Sequence, residues 1–291
     1  MPQARPAALA AAITLGVSLL TGASPASAAP PAGYELVSSP DTSFGRDGTL
    51  VAVAKCPPGK KVIGGGARPM VHDVDVNVSA LTPVPAMMPG MSELFRVVAA
   101  GRMQNTLSFW KLRAYAVCAD PLPGLTITTS VTPSNGDDNK ILWPDCPAGK
   151  FPLANYPFLT GGAVGRVQIL SNYFEPGGSW GAQAMENHSA PDEGPDPGNW
   201  SLGVKTVCAD PIPGLTWTGG HSASTAGPRT TASALCPAGQ HALSFGFYTS
   251  SGSADLETLA PNGDGTGVTA TVLSTVAGEH PATIDTAAWC A

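Results

Sequence analysis

The sequence is poor in charge: only 12 % of its 291 residues are Asp, Glu, Lys or Arg, with 15 bases against 21 acids. A net charge of −6 and a pI near 5.3 exclude a general phosphate-binding surface, so no nucleic-acid partner is expected. The densest basic spot is Lys60-Lys61. Beyond the first thirty residues there is no long apolar run, so no transmembrane segment is expected there. Alanine-rich helical stretches are also missing from that part. No C-x-x-C or H-x-x-x-H pairing exists, which removes the usual zinc sets, and neither metal nor cofactor is expected.

Turn formers are plentiful: 34 glycines and 29 prolines. With frequent Ser and Thr and little helix-forming sequence, this is the profile of short strands joined by turns. The first thirty residues differ. One charge at Arg5 precedes an apolar run from about Ala7 to Leu20, and Ala26-Ser27-Ala28 fits the small-x-small cleavage rule. Residues 1–28 therefore read as a signal peptide, and the remainder as a secreted, extracellular protein.

All six cysteines lie after that segment: Cys56, Cys118, Cys146, Cys208, Cys236 and Cys290. An even count in an exported chain points to three disulfides. Cys56, Cys146 and Cys236 are spaced 90 apart, as are Cys118 and Cys208. The flanking text repeats too: CPPGK, CPAGK and CPAGQ begin at the first set, and AVCADPLPGL recurs as TVCADPIPGL. A fixed period of this size signals a repeat architecture. The units are 31–120, 121–210 and 211–291.

Each unit shows a first strand after a Pro-x-Gly turn, a polar loop before the Cys-Pro turn, and four further strands. The last of these carries Trp110-x-Leu112 and Trp200-x-Leu202, with Ala282 and Ile284 at the corresponding place in unit three. Alternation of apolar and polar residues implies antiparallel strands with one face on a core. The fold class is therefore all-β: three homologous antiparallel units of 80–90 residues, packed around a pseudo-threefold axis or as a bent row. Pairing within units (Cys56–Cys118, Cys146–Cys208, Cys236–Cys290) is preferred. Pairing across the joints would staple the chain into a ring.

Candidate chemistry is sparse. Gly177-Gly178-Ser179-Trp180-Gly181 matches G-x-S-x-G, the nucleophile elbow of many serine hydrolases, but that elbow needs a following helix and here it enters a strand. A hairpin turn is the better reading. A catalytic triad would need Ser179 beside His188 or His221 and a carboxylate such as Asp192 or Asp196. Asp73-Val74-Asp75-Val76-Asn77 resembles the start of a calcium loop, but Val78 stands where such a loop needs glycine, so a solvated strand face is expected. Gly64-Gly65-Gly66 lacks the helix that a phosphate cradle requires and reads as a close approach or a bulge. Trp110 and Trp200 recur and belong to the core. Trp143, Trp180 and Trp217 do not recur as tryptophan, and exposed rings of this kind stack on sugars.

At Cys56–Gly66 and again at Trp110 with Tyr115–Ala119, the chain resembles a CPxGxxxxGGG…W…CA repeat found in secreted proteins of actinomycete-type bacteria. The resemblance covers unit one well, while unit two has Ala154-Asn155-Tyr156 and unit three Ser244-Phe245-Gly246 in place of the glycines. It implies export and repetition and no catalytic residue. The functional expectation is a non-enzymatic binding or surface-associated protein whose partner is an extracellular glycan or protein, contacted through Trp143, Trp180 and Trp217. The alternatives are a serine hydrolase using Ser179 and His188, and a protease inhibitor.

Overall fold

The computed structural model describes residues 29–43, 48–72, 74–88, 90–103, 109–173, 181–186, 198–222, 228–250, 254–274 and 283–291. The expected signal peptide lies outside the described residues. Six strands fill the first unit: β1 Glu35–Ser38, β2 Gly48–Lys55, β3 Lys61–His72, β4 Val74–Val84, β5 Leu94–Met103 and β6 Phe109–Ala119. The series recurs as β7 Thr126–Val131, β8 Asn139–Leu142, β9 Phe151–Gly161, β10 Val167–Ser171, β11 Ala182–Glu186 and β12 Trp200–Ala209. It recurs again as β13 Thr216–His221, β14 Arg229–Leu235, β15 Ala242–Thr249, β16 Ala254–Pro261, β17 Gly267–Ser274 and β18 Ile284–Cys290. No helix occurs among the described residues.

One strand per unit escapes the sequence reading. The stretch before each Cys-Pro turn is not a polar loop but a strand: β2, β8 or β14. The reason is visible in β14, Arg-Thr-Thr-Ala-Ser-Ala-Leu, whose inward positions are Thr230, Ala232 and Ala234. Such small residues alternate in burial without alternating much in hydropathy.

The strands form three antiparallel sheets of six, and every sheet takes half its strands from each of two units. Sheet I is β1-β6-β3-β16-β17-β14, joining units one and three. Sheet II is β2-β5-β4-β9-β12-β7, joining units one and two, and sheet III is β13-β18-β15-β10-β11-β8, joining units two and three. The joins are equivalent: Leu259 pairs with Ala67, Ala80 with Phe158, and Ser171 with Tyr248. The three units thus close a ring in which no unit owns a complete sheet.

The cysteines pair within units, as preferred from the sequence: Cys56–Cys118, Cys146–Cys208 and Cys236–Cys290. Each bond ties the end of a unit's second strand to its sixth, which lies in the other sheet. The core is one continuous cluster drawn from all three units, with Trp110 and Trp200 buried in it and Ile284 at the corresponding place after Leu112 and Leu202.

The glycine triplet explains how the units approach. The β3 ladder shifts register between Val62 and Gly64, so a bulge sits there. A Cβ on Gly64 would lie 1.9 Å from the Leu243 carbonyl oxygen, and one on Gly66 2.0 Å from that of Leu259. Both oxygens belong to unit three. A Cβ on Gly65 would strike the Phe95 ring at 2.5 Å. In unit three the sizes are exchanged: Phe245 stands at the Gly65 position and Val268 at the Phe95 position. The same volume is filled from the opposite strand.

Buried polar residues knit the units where their fourth strands meet. Asn77, Gln168 and Asp255 each stand two places before the bulged-out residue of β4, β10 and β16, and all three are buried. Asn77 Nδ2 donates to Asp255 Oδ1 at 2.9 Å and to the Val167 carbonyl at 3.2 Å, touching all three units at one atom. Asn77 is therefore not on a solvated strand face, contrary to the sequence reading. Asn172 similarly donates to the Asn155 and Phe245 carbonyls and accepts from the Phe247 N–H. Units one and three are also sealed by Tyr34, whose hydroxyl donates to the Ala242 carbonyl at 3.3 Å beside the His241 ring. Burial, and secondarily the Asp264 charge, pushes the Tyr34 phenol up to about 12.

Candidate functional site

The inward face of each sheet is committed to the core, which leaves the outward faces to solvent and to any ligand. These faces differ. At the centre of sheet I the outward cross-strand pair is Arg68 with Arg113. At the equivalent place sheet II has Phe158 with Gly203, and sheet III has Tyr248 with Asp285. On sheet III this pair opens a cleft.

The cleft lies across the join between units two and three and has a volume of about 400 Å³. Unit two supplies Ile141 and Trp143 at the end of β8, Gln183 on β11, and Ser171 with Tyr173 at the end of β10. Unit three supplies Tyr248 and Asp285. Each is placed by strand alternation: Ile141 and Gln183 point outward while Lys140, Ala182 and Ala184 are buried. Trp143 is 58 % exposed. Its ring lies over Gly181, where a Cβ would come within 2.4 Å of the indole, so the glycine fixes the ring flat against the sheet. Tyr173 and Tyr248 meet edge to face across the join, with ring centres 6.3 Å apart.

Polar groups border the rings. Gln183 Nε2 donates to Asn139 Oδ1 at 3.1 Å, which holds the amide in one orientation. Asp285 contacts the imidazole Nδ1 of His221, its neighbour in the β13–β18 register. Among the described residues no group of three His, Cys, Asp or Glu side chains is placed to hold a metal.

The sequence-nominated residues fare unevenly. Trp143 forms a wall of the cleft. Trp217 does not line it: the ring is half-buried, lies over Gly219, and packs with Trp289, Leu215 and Tyr173 on the same sheet. Phe151 joins this cluster, edge to face with Trp289 at 5.0 Å. Trp180, Ser179 and His188 lie outside the described residues. His221, the other candidate triad histidine, ends strand β13. Tyr173, Tyr248, Gln183, Ile141 and Asp285 were not nominated. Their signal is present in the repeat: Tyr248 stands where unit one has Arg68, and a position that breaks the repeat in an outward-facing register is free to serve recognition.

Three disulfides are present, and no helix among the described residues is long and apolar enough to cross a membrane. No protein-family model matches this chain, and no curated protein matches its sequence.

Proposed function

We propose that this is a secreted, non-enzymatic binding protein that recognises an extracellular glycan through the cleft of sheet III. The observation that carries the reading is the exposed Trp143 ring, held flat over Gly181 in one cleft with Tyr173 and, across the join, Tyr248, with Gln183 and Asp285 at the rim. A sugar ring presents apolar C–H groups on its face and hydroxyls on its edge. Flat aromatic walls suit the face, and amide and carboxylate groups suit the edge. The open, shallow form fits a segment of polysaccharide better than an enclosed small molecule. Export is supported by the leader-like N-terminus, the disulfides and the resemblance of unit one to repeats of secreted bacterial proteins. The hydrolase and inhibitor readings gain no support from the described residues.

The test is co-sedimentation of residues 29–291 with insoluble cell-wall and plant polysaccharides, followed by titration with soluble oligosaccharides read by tryptophan fluorescence. Binding to at least one polysaccharide, with a blue shift in emission as Trp143 is covered, is the expected result. Absence of binding to every polysaccharide, or binding that Trp143→Ala leaves unchanged, rejects the reading.

A further inference from the structure

Methionine is ordinarily an interior residue, so exposed clusters of it call for an explanation. Met87, Met88 and Met91 are 88 %, 62 % and 48 % exposed, and they are three of the seven methionines in the chain. They occupy the hairpin between β4 and β5. The Met91 N–H donates to the Met88 carbonyl at 3.2 Å, and Gly90 has φ of 84°. That bond holds the Met88 and Met91 backbones within about 7 Å of each other. Two thioether side chains three residues apart thus start from neighbouring points. Met87 borders the same recess, of about 350 Å³.

The turn itself does not require methionine. Unit three closes the equivalent hairpin with Asn262-Gly263-Asp264-Gly265, through a Gly265 N–H to Asn262 carbonyl bond of 3.0 Å. That turn carries no apolar side chain. The charges around the methionine recess are already matched. Lys60 Nζ is bound to Glu35 at 2.9 Å and to the Gly33 carbonyl at 2.7 Å. Lys61 Nζ is bound to Glu93 at 2.8 Å, and Glu93 also accepts from the Val62 N–H at 3.0 Å. The hard oxygen and nitrogen groups are occupied, and three thioether sulfurs remain. Thioethers are soft donors that select Cu(I) and its analogue Ag(I), while hard cations need oxygen ligands. No thiolate competes, because all six cysteines are in disulfides.

We propose that Met87, Met88 and Met91 form a three-thioether site for a soft monovalent cation, Cu(I) or Ag(I). The expectation of no metal, drawn from cysteine, histidine and carboxylate spacing, did not weigh this donor set. The site is on unit one and is independent of the cleft on sheet III.

The experiment uses residues 29–291 labelled with ¹³C-methyl methionine, titrated with silver nitrate in chloride-free buffer. One equivalent of Ag(I) is expected to move the methyl signals of Met87, Met88 and Met91 and leave those of Met70 and Met185 in place. A hundredfold excess of Ca(II) or Zn(II) is expected not to reverse it. Met88→Leu with Met91→Leu is expected to weaken binding at least tenfold. Leucine keeps the apolar surface, so a merely hydrophobic knob would be unaffected, and unchanged disulfide mass excludes silver attack on cystine. Absence of a stoichiometric shift, or equal affinity in the Met87→Leu, Met88→Leu, Met91→Leu triple variant, overturns the proposal.

Discussion

The outward faces of sheet I and sheet III are built on the same register and carry opposite chemistry. Sheet I presents Arg68, Lys111 and Arg113, with Arg113 bound to Asp41 at 2.8 and 2.5 Å. Its far half adds hydroxyl pairs, Thr231 with Thr271 at 3.0 Å and Ser233 with Thr269 at 2.9 Å, and the bidentate Arg229–Glu257 pair. These groups satisfy one another across strands and leave a surface that water covers well. Sheet III places Trp143, Tyr173, Tyr248, Trp217 and Trp289 on the equivalent face. The two sheets share their inner layer and differ outside. The repeat therefore constrains what must pack and leaves free what faces away.

That contrast can be broken or sharpened by experiment. The largest effect is expected from the inner cross-links. Each disulfide closes a loop of 62 or 54 residues and stabilises by about 4 kcal/mol in the chain-entropy account. Cys118→Ala with Cys56→Ala should cost about that much in chemical denaturation. Cys56 is buried whereas Cys146 and Cys236 are half-exposed, so native-state reduction with alkylation and mass spectrometry should open Cys56–Cys118 last. If it opens first, burial does not govern access here.

Next comes Gly64→Ala, which must displace the Leu243 carbonyl and should destabilise by about 3 kcal/mol. Gly263→Ala, with open space around it, serves as the control and should change stability by less than about 0.5 kcal/mol. Equal denaturation midpoints for the two variants would mean that the close approach of units one and three is not obligatory.

Outer-face changes should leave the fold intact and separate the sheets by function. Trp143→Ala should lower glycan affinity about tenfold, or about 1.4 kcal/mol, without moving the melting temperature. Arg68→Ala on the outward face of sheet I, at an exposed position, should change neither. Loss of binding from both variants would erase the distinction between the faces.

The smallest effect concerns the Tyr34 seal. Its phenol is held neutral in the fold, with its pKa raised from 10.0 to about 12. The contribution is complete below the unfolded value and is lost as pH rises toward the folded one, because above pH 10 the unfolded chain has already released the proton. Stability should fall between pH 10 and 12 by about 1 kcal/mol after solvent screening. In Tyr34→Phe that alkaline slope should flatten. A slope equal to that of the wild type would assign it to other groups, Tyr156 among them, whose phenol burial also pushes up.

The repeat and its cross-links were legible in the letters because both obey short-range rules. A period of 90, a proline-glycine punctuation and the alternation from Phe109 to Ala116 leave little choice of element, and pairing within units repeats in every unit without a long-range closure. The missed strands β2, β8 and β14 are short or filled with alanine and threonine, so their burial pattern depends on neighbours that propensity does not see.

The candidate site was half legible. Trp143 stood out as an unrepeated aromatic, and Trp217 did as well, but only packing separates an exposed wall from a half-buried shelf. Tyr173, Tyr248 and Asp285 lie far apart in the chain and become neighbours at the join of two units.

By itself, then, the sequence determined a triplicated, disulfide-bonded all-β chain, because hydrophobic period and cysteine spacing are local properties. Only the tertiary structure decided that each sheet is shared between two units, that glycines at 64 and 66 admit the backbone of unit three, and which outward face holds the cleft. Those outcomes depend on contacts between residues 75 or more positions apart, among them Tyr173 with Tyr248 and Ala67 with Leu259, whose energy exists only once the ring has closed.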